Sequence, residues 1–202
     1  MTYRRDLLYL DFQTNFVSTV LMSIVLNYMK EKNKIILREY ESPCGALMLG
    51  AYGARLCLCD WMIGPRGEHV RSRLHRLLDA ESVAGQSDVT DMAAAQLDEY
   101  FAGERRQFDV PLLLVGTVFQ KMVWRALLTI PWGFTASYGD VARQIGMPHA
   151  VRAVAGANGA NSISIFVPCH RVIGSDHKLT GYAGGLAAKE YLLKLEKAQL
   201  GL

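Results

Sequence analysis

The stretch "SYGDVARQIGMPHAVRAVAGANG", residues 137–159, decides how the chain is read. Ser137 followed three residues later by Asp140 resembles a capping box opening the helix "YGDVARQIG", and Gly146 ends it. Pro148 then opens a second helix, "PHAVRAVAGANG". Two short helices across a glycine-containing turn are the arrangement with which many proteins present a helix to a DNA groove. Helix pairs also occur as plain packing units, so both readings stand at this point. Arg152, projecting from the second helix, suits the first.

Around this pair, 202 residues at 50% hydrophobic and 20% charged describe a soluble globular chain with room for one large or two small cores. Two small domains are expected, with a boundary near residues 112–116. A net charge of +3 is too small to demand a nucleic-acid partner, but its distribution is uneven. Between Gln120 and Lys178, six basic residues (Lys121, Arg125, Arg143, Arg152, Arg171, Lys178) face only Asp140 and Asp176, an excess of four. Cys44, Cys57, Cys59 and Cys169 have no regular spacing and no CxxC pair, which suggests neither a disulfide framework nor a zinc knuckle. A reducing cytoplasm fits that usage. The apolar run Phe16 to Leu26 is shorter than the ~20 residues a bilayer crossing needs, and no small-residue cleavage site follows. It reads as a helix or a strand-helix extension.

Before the helix pair, "KIILREYE" (34–41) and "GALMLGAYGARLCLCDW" (45–61) read as strands of a hairpin or meander with glycines at the turns. Strict alternation would put Cys57 and Cys59 on one face, as core residues rather than ligands. His69 and His75 lie in a basic helical stretch and read as surface or core histidines. Next, "DVTDMAAAQLDEYFAGE" predicts a helix capped by Thr90 and stopped at Gly103, and a further helix is expected from about Phe119 to Leu128.

After the pair comes "FVPCHRVIG", residues 166–174, where a proline is followed at once by a thiol, an imidazole and a guanidinium. A strand end holding a buried cysteine is the bland reading. A nucleophilic role requires the thiolate, and a free thiol is only a few per cent ionised at neutral pH, so a base must activate it. On a regular strand, neighbouring side chains point to opposite faces, so Cys169 and His170 should not touch directly unless the backbone bends. Taken alone, Glu196 reads as an ordinary exposed glutamate at a helix end.

The segments "GTVFQKMVWRALLTIPWGFTASYGDVARQIG" (116–146), "VRAVAGANGAN" (151–161), "VPCHRVIG" (167–174) and "LTGYAGGLAAKEYLLKLE" (179–196) closely resemble the O6-alkylguanine-DNA alkyltransferases. The likeness extends from about Lys34 to Glu196. It implies an α+β architecture: residues 1–33 an unassigned extension, 34–112 a small ribonuclease-H-like domain, and 113–202 a winged-helix-like, helix-turn-helix domain that reads DNA from the minor groove. It also implies that Cys169 takes the alkyl group from O6 of guanine, that His170 activates it through a water, and that Glu196 orients His170.

Reaching an atom buried in the base stack requires extruding the nucleotide. By the same resemblance Arg152 fills the vacated space, while Tyr138 presses on the flanking phosphate and protonates the leaving guanine. Asn161 braces the approach to the active-site segment, Tyr182, Ala183 and Gly184 form a pocket wall, and Val172 and Ser175 complete the wall and rim. Two departures stand out. Ala183 occupies a position where some relatives have serine, and Asn158, Gly159 and Ala160 are uncharged where some carry an arginine. The implied partner is double-stranded DNA containing alkylated guanine, acted on by a monomer without cofactor, in the cytoplasm or, in a eukaryote, the nucleus. Cys44, Cys57, Cys59 and His69 make no clean zinc-ligand set, so no metal is expected. A thioether on Cys169 offers water no carbonyl and no good leaving group, so one molecule would repair one lesion.

Overall fold

The computed structural model describes residues 33–62, 64 and 66–198; the apolar run at 16–26 lies outside them. Strands β1 (Lys34–Ser42), β2 (Gly45–Tyr52) and β3 (Arg55–Trp61) form an antiparallel meander. Helix α1 (Arg66–Leu78) then carries the chain across to β4 (Glu81–Ala84), which pairs parallel with β1, giving the order β3-β2-β1-β4. One face of the sheet is covered by α1, whose Val70 and Leu74 pack with Ile35, Leu58 and Val115. The other is covered by α2 (Asp88–Ala102), through Ala93, Ala94, Leu97 and Tyr100.

The two cysteines of β3 do not share a face. Gly50 pairs with Leu58 but Ala51 with Leu56, so Cys57 is an extra residue, a bulge that reverses the alternation. Cys57 packs under α1 and Cys59 on the opposite side. Among the described residues, no three His, Cys, Asp or Glu side chains gather as a metal site.

Helix starts follow local chemistry, with two shifts from expectation. Ser87, not Thr90, caps α2; Thr90 is the third helical residue and returns the bond, its Oγ1 accepting from Ser87 N at 3.0 Å while Ser87 Oγ accepts from Thr90 N at 3.2 Å. Gly103, with φ 80°, closes the helix. Helix α3 (Val118–Leu127) has the same kind of box, Thr117 with Gln120. The short strand β5 (Ala136–Ser137) runs straight into α4 (Tyr138–Gln144), capped by Ser137 and Asp140 as the sequence suggests. Helix α5 spans Val151–Gly159, later than Pro148, which sits in a turn closed by Ala150 N donating to Met147 O at 2.9 Å.

The free edge of β3 organises the rest. Cys59 N donates to Ser162 O at 2.8 Å and Ser164 N to Cys59 O at 2.6 Å, so the sheet edge holds the segment that leads into "PCHR". That motif is not a strand end: Cys169–Arg171 form a 3₁₀ turn, followed by β6 (Val172–Ile173), which pairs parallel with β5. This pairing sets the N-terminus of α4 beside the residues following Cys169. Helix α6 (Gly185–Ala198) closes the chain. Leu49, Cys59 and Trp61 of the sheet share one buried cluster with Trp124 of α3, Val154 of α5, Cys169 and Leu192 of α6. Among the described residues no helix is long and apolar enough to cross a membrane.

One glycine is required by packing. A Cβ at Gly184 would lie 2.5 Å from the indole of Trp61, itself 1% exposed and unable to move aside. Gly184→Ala is therefore expected to destabilise the protein by about 1–3 kcal/mol, read from the urea midpoint at unchanged slope.

Candidate active site

Cys169, His170 and Glu196 come together in the buried interior. The His170 ring is fully buried, its Nε2 2.8 Å from Glu196 Oε1. Glu196 is not an exposed helix-end residue. Its carboxylate is 0% exposed and also accepts from Tyr100 Oη at 3.0 Å, Arg171 Nε at 2.9 Å, Arg171 Nη2 at 3.0 Å and Gly133 N at 3.2 Å. Burial alone would raise its carboxyl, but His170 and Arg171 outweigh that and hold the pKa down at about 2. Glu196 is thus an acceptor only, so His170 must present Nε2–H to it. The other ring nitrogen, Nδ1, is buried without a partner. Burial pushes the imidazole below its ordinary pKa against the pull of Glu196. A neutral ring with a free basic Nδ1 results, next in sequence to a thiol.

That thiol is 4% exposed, and burial pushes its pKa up; Asn161 opposes the shift by donating from Nδ2 to Sγ at 3.1 Å. The resting sulfur is therefore protonated, and ionising it requires a base. The same Nδ2 donates to Val167 O at 2.9 Å, and Asn161 Oδ1 accepts from Ile163 N at 3.0 Å, so this side chain braces the segment that leads into the turn.

A cavity of about 560 Å³ opens nearby, lined by Arg66, Tyr138, Asn158, Thr180, Tyr182 and Ala183 among others. Tyr138 is half-buried and accepts from Thr180 Oγ1 at 3.2 Å. Cys169 is not itself a lining residue; its carbonyl lies behind Asn158, whose Nδ2 donates to it at 3.4 Å. Several expected residues sit elsewhere. Gly184 packs on Trp61, Val172 is fully buried, and exposed Ser175 lines a neighbouring cleft with Ser137, Arg143 and His177. Arg152 is exposed in the first turn of α5.

The excess of positive charge is also smaller at the surface than the sequence suggests. Arg171 is buried on Glu196, its Nη1 donating to Ile130 O at 2.7 Å. Arg143 pairs with Asp140, and Lys178 with Asp176 at 3.0 Å. Lys121, Arg125 and Arg152 carry what remains.

Lys189 escaped sequence reasoning, because nothing in "AAKEY" marks a lysine as buried. It is 0% exposed, and its Nζ donates to Val172 O at 2.7 Å and Thr180 O at 2.8 Å, tying the strand after the 3₁₀ turn to the cavity wall. Burial lowers its pKa to about 8. Lys189→Met leaves both carbonyls without this donor and is expected to cost about 1–3 kcal/mol, measured by urea denaturation.

Fold and site together define a protein with a buried thiol next in sequence to a buried, hydrogen-bonded His170–Glu196 pair. Comparisons narrow this class. The family "6-O-methylguanine DNA methyltransferase, DNA binding domain" matches residues 118–198. A methylated-DNA–protein-cysteine methyltransferase of Mycobacterium tuberculosis is 49% identical over 162 residues, covering 80% of this chain and 92% of that protein. One of Methanosarcina acetivorans is 46% identical over 157 residues, covering 78% and 95%. The crystal structure of Mycobacterium tuberculosis O6-methylguanine methyltransferase superposes with a TM-score of 0.69 at 46% identity, over 82% of this chain and 94% of that one. The same organism's OGT in complex with DNA gives 0.69 at 47% identity, over 81% and 93%. The chain belongs to the methylated-DNA–protein-cysteine methyltransferase family.

Proposed function

We propose that this protein repairs DNA by moving an alkyl group, methyl above all, from O6 of guanine onto Cys169 Sγ, irreversibly and once per molecule. The observation that carries this reading is the buried Cys169, held by Asn161, beside a neutral His170 whose Nδ1 is free because Nε2 is committed to Glu196. His170 Nδ1 takes the thiol proton through one water. The sulfur attacks the alkyl carbon and forms a C–S bond. The carbon–O6 bond breaks, its electron pair stays with guanine, and guanine takes up one proton from Tyr138. Atoms and charge balance without a cofactor, and the protonated His170 restores the hydroxyl. The thioether that remains has no route back to a thiol.

Tyr138, Tyr182 and Ala183 on the cavity walls are the residues that would receive the extruded base. Arg152, exposed at the start of α5, would occupy the gap left in the stack, and Ser175 with its cleft would lie along the DNA backbone. Double-stranded DNA carrying alkylated guanine is the partner. A meander with a parallel fourth strand supports a ribonuclease-H-like reading of residues 34–112, and α3–α5 with the β5–β6 pair support a winged-helix-like reading of 113–202. We take the protein to act as a monomer, in the cytoplasm, or the nucleus of a eukaryote, where its thiols stay reduced.

Incubation with a duplex containing isotopically labelled O6-methylguanine tests the proposal. Mass spectrometry should find one methyl on the peptide containing Cys169, saturating at one per chain. Unmoved label, or repair of many lesions per chain, would overturn it.

A further inference from the structure

Helix α1, outside the helix pair, carries more positive charge than the pair does. Its four arginines, Arg66, Arg71, Arg73 and Arg76, stand against Glu68 alone, an excess of three that equals the excess of the whole chain. In α5 the one charged residue is Arg152, and in α4 Arg143 is neutralised by Asp140. At about 100° per residue, Arg66, His69, Arg73 and Arg76 of α1 fall within an arc of about 80°. The stripe they make is about 15 Å long, the rise of about four base pairs. Val70 and Leu74, on the adjoining arc, are buried against the sheet.

This stripe begins at the cavity and runs on past the end of α5. Arg66 lines the cavity with Tyr138 and Gly159. Its Nη2 donates to Asn161 O at 3.4 Å, and Arg73 Nη2 donates to Ala160 O at 2.7 Å, so α1 lies against the C-terminal end of α5. Asp60, 3.7 Å from Arg66 Nε, answers part of one charge. Burial and the guanidiniums of Arg66 and Arg76 push the Arg73 pKa below its ordinary value, against the pull of Asp60. Arg76 is exposed and has no ion-pair partner among the described residues. Holding like charges within a turn of one another costs stability, which a bound anion recovers.

We propose that this face of α1 is a second DNA-contact surface, where Arg76, in line with Arg66 and Arg73, meets phosphates of the duplex flanking the lesion. The inference rests on the functional reading above. Guanidinium and phosphate match in charge and in fork geometry, and a row of such contacts fixes position without reading sequence. Counter-ions released from the duplex supply the affinity.

Fluorescence anisotropy titrations at several salt concentrations, on an O6-methylguanine duplex and on the unmodified duplex of the same sequence, test this. The proteins compared are the wild type, Arg76→Gln, Arg76→Lys and Arg55→Gln. Arg55 is exposed at the opposite end of β3 from α1, and its variant loses the same charge. Arg76→Gln should weaken binding about five- to tenfold at about 0.1 M salt, and lower the slope of log K against log salt by about one. The loss should be the same on both duplexes, because the phosphates are the same. Arg76→Lys should keep most of the affinity and Arg55→Gln all of it. Methyl transfer at saturating DNA should run at the wild-type rate in Arg76→Gln, since Arg76 touches no reacting group. An unchanged slope in Arg76→Gln overturns the inference and leaves the stripe to an acidic protein surface. So does an equal loss in Arg55→Gln, which would report net charge alone. A wild type that binds duplex yet takes up no methyl would defeat the functional reading instead, so the two failures are distinguishable.

Discussion

Cys169→Ala is expected to give no labelled protein after prolonged incubation with O6-methylguanine duplex, while still binding that duplex in a fluorescence anisotropy titration. The remaining cysteines offer no substitute. Cys57 is buried with its pKa pushed up to about 12, Cys59 is fully buried with its thiol pushed well above its ordinary value, and Cys44 sits half-buried at the β1–β2 turn. None of them lies next in sequence to a histidine, as Cys169 does. Binding survives because the helix pair and the cavity wall lie outside the truncated side chain. The fold survives as well: Asn161 Nδ2 loses its bond to sulfur but keeps Val167 O. Stability should change by no more than about 1 kcal/mol, the size of one modest hydrogen bond. Residual transfer in this variant would place the nucleophile elsewhere.

What could be read from the sequence was local. Meander strands, the Ser137–Asp140 cap and the glycine stop at Gly103 are written in neighbouring residues, and the structure reproduces them. Motif likeness supplied the rest of the site: by residue type alone Glu196 is one more helix-end glutamate. Its burial is decided 26 residues away by His170 and 96 residues away by Tyr100, contacts that no spacing rule encodes. Alternation failed at Cys57 for a related reason, since a bulge is a property of two paired strands and leaves no mark in one. The strand expected at "PCHR" is a 3₁₀ turn, reached through Ile165 at φ 73°, a conformation costly for a β-branched residue. Arg171 looked like part of a DNA-facing charge and is instead an internal counter-ion.

Glu196→Gln should be the most damaging substitution to leave the nucleophile intact. The carboxylate accepts from two cationic or potentially cationic side chains, a phenol and a backbone amide, whereas glutamine offers one oxygen and turns an NH2 toward donors. Breaking a buried ion pair from one side costs about 3–5 kcal/mol, which in a protein of this size lowers Tm by roughly 10 °C. Acid titration supplies an independent signature. A carboxyl held at about 2 in the fold, against about 4.3 in the unfolded chain, contributes stability that is fully present above the higher value and disappears as pH falls toward the lower. Wild-type stability should thus fall between about pH 4.5 and pH 2 more steeply than that of Glu196→Gln, and the gap between the two should close. Catalysis should suffer separately. Glu196 opposes the burial that depresses His170, so removing its charge drives the imidazole lower and makes Nδ1 a weaker base, besides freeing the ring to change tautomer. Transfer should slow by about a hundredfold or more, the usual worth of a positioned base. A folded Glu196→Gln protein that transfers at the wild-type rate would show that the sulfur is ionised by some group other than His170.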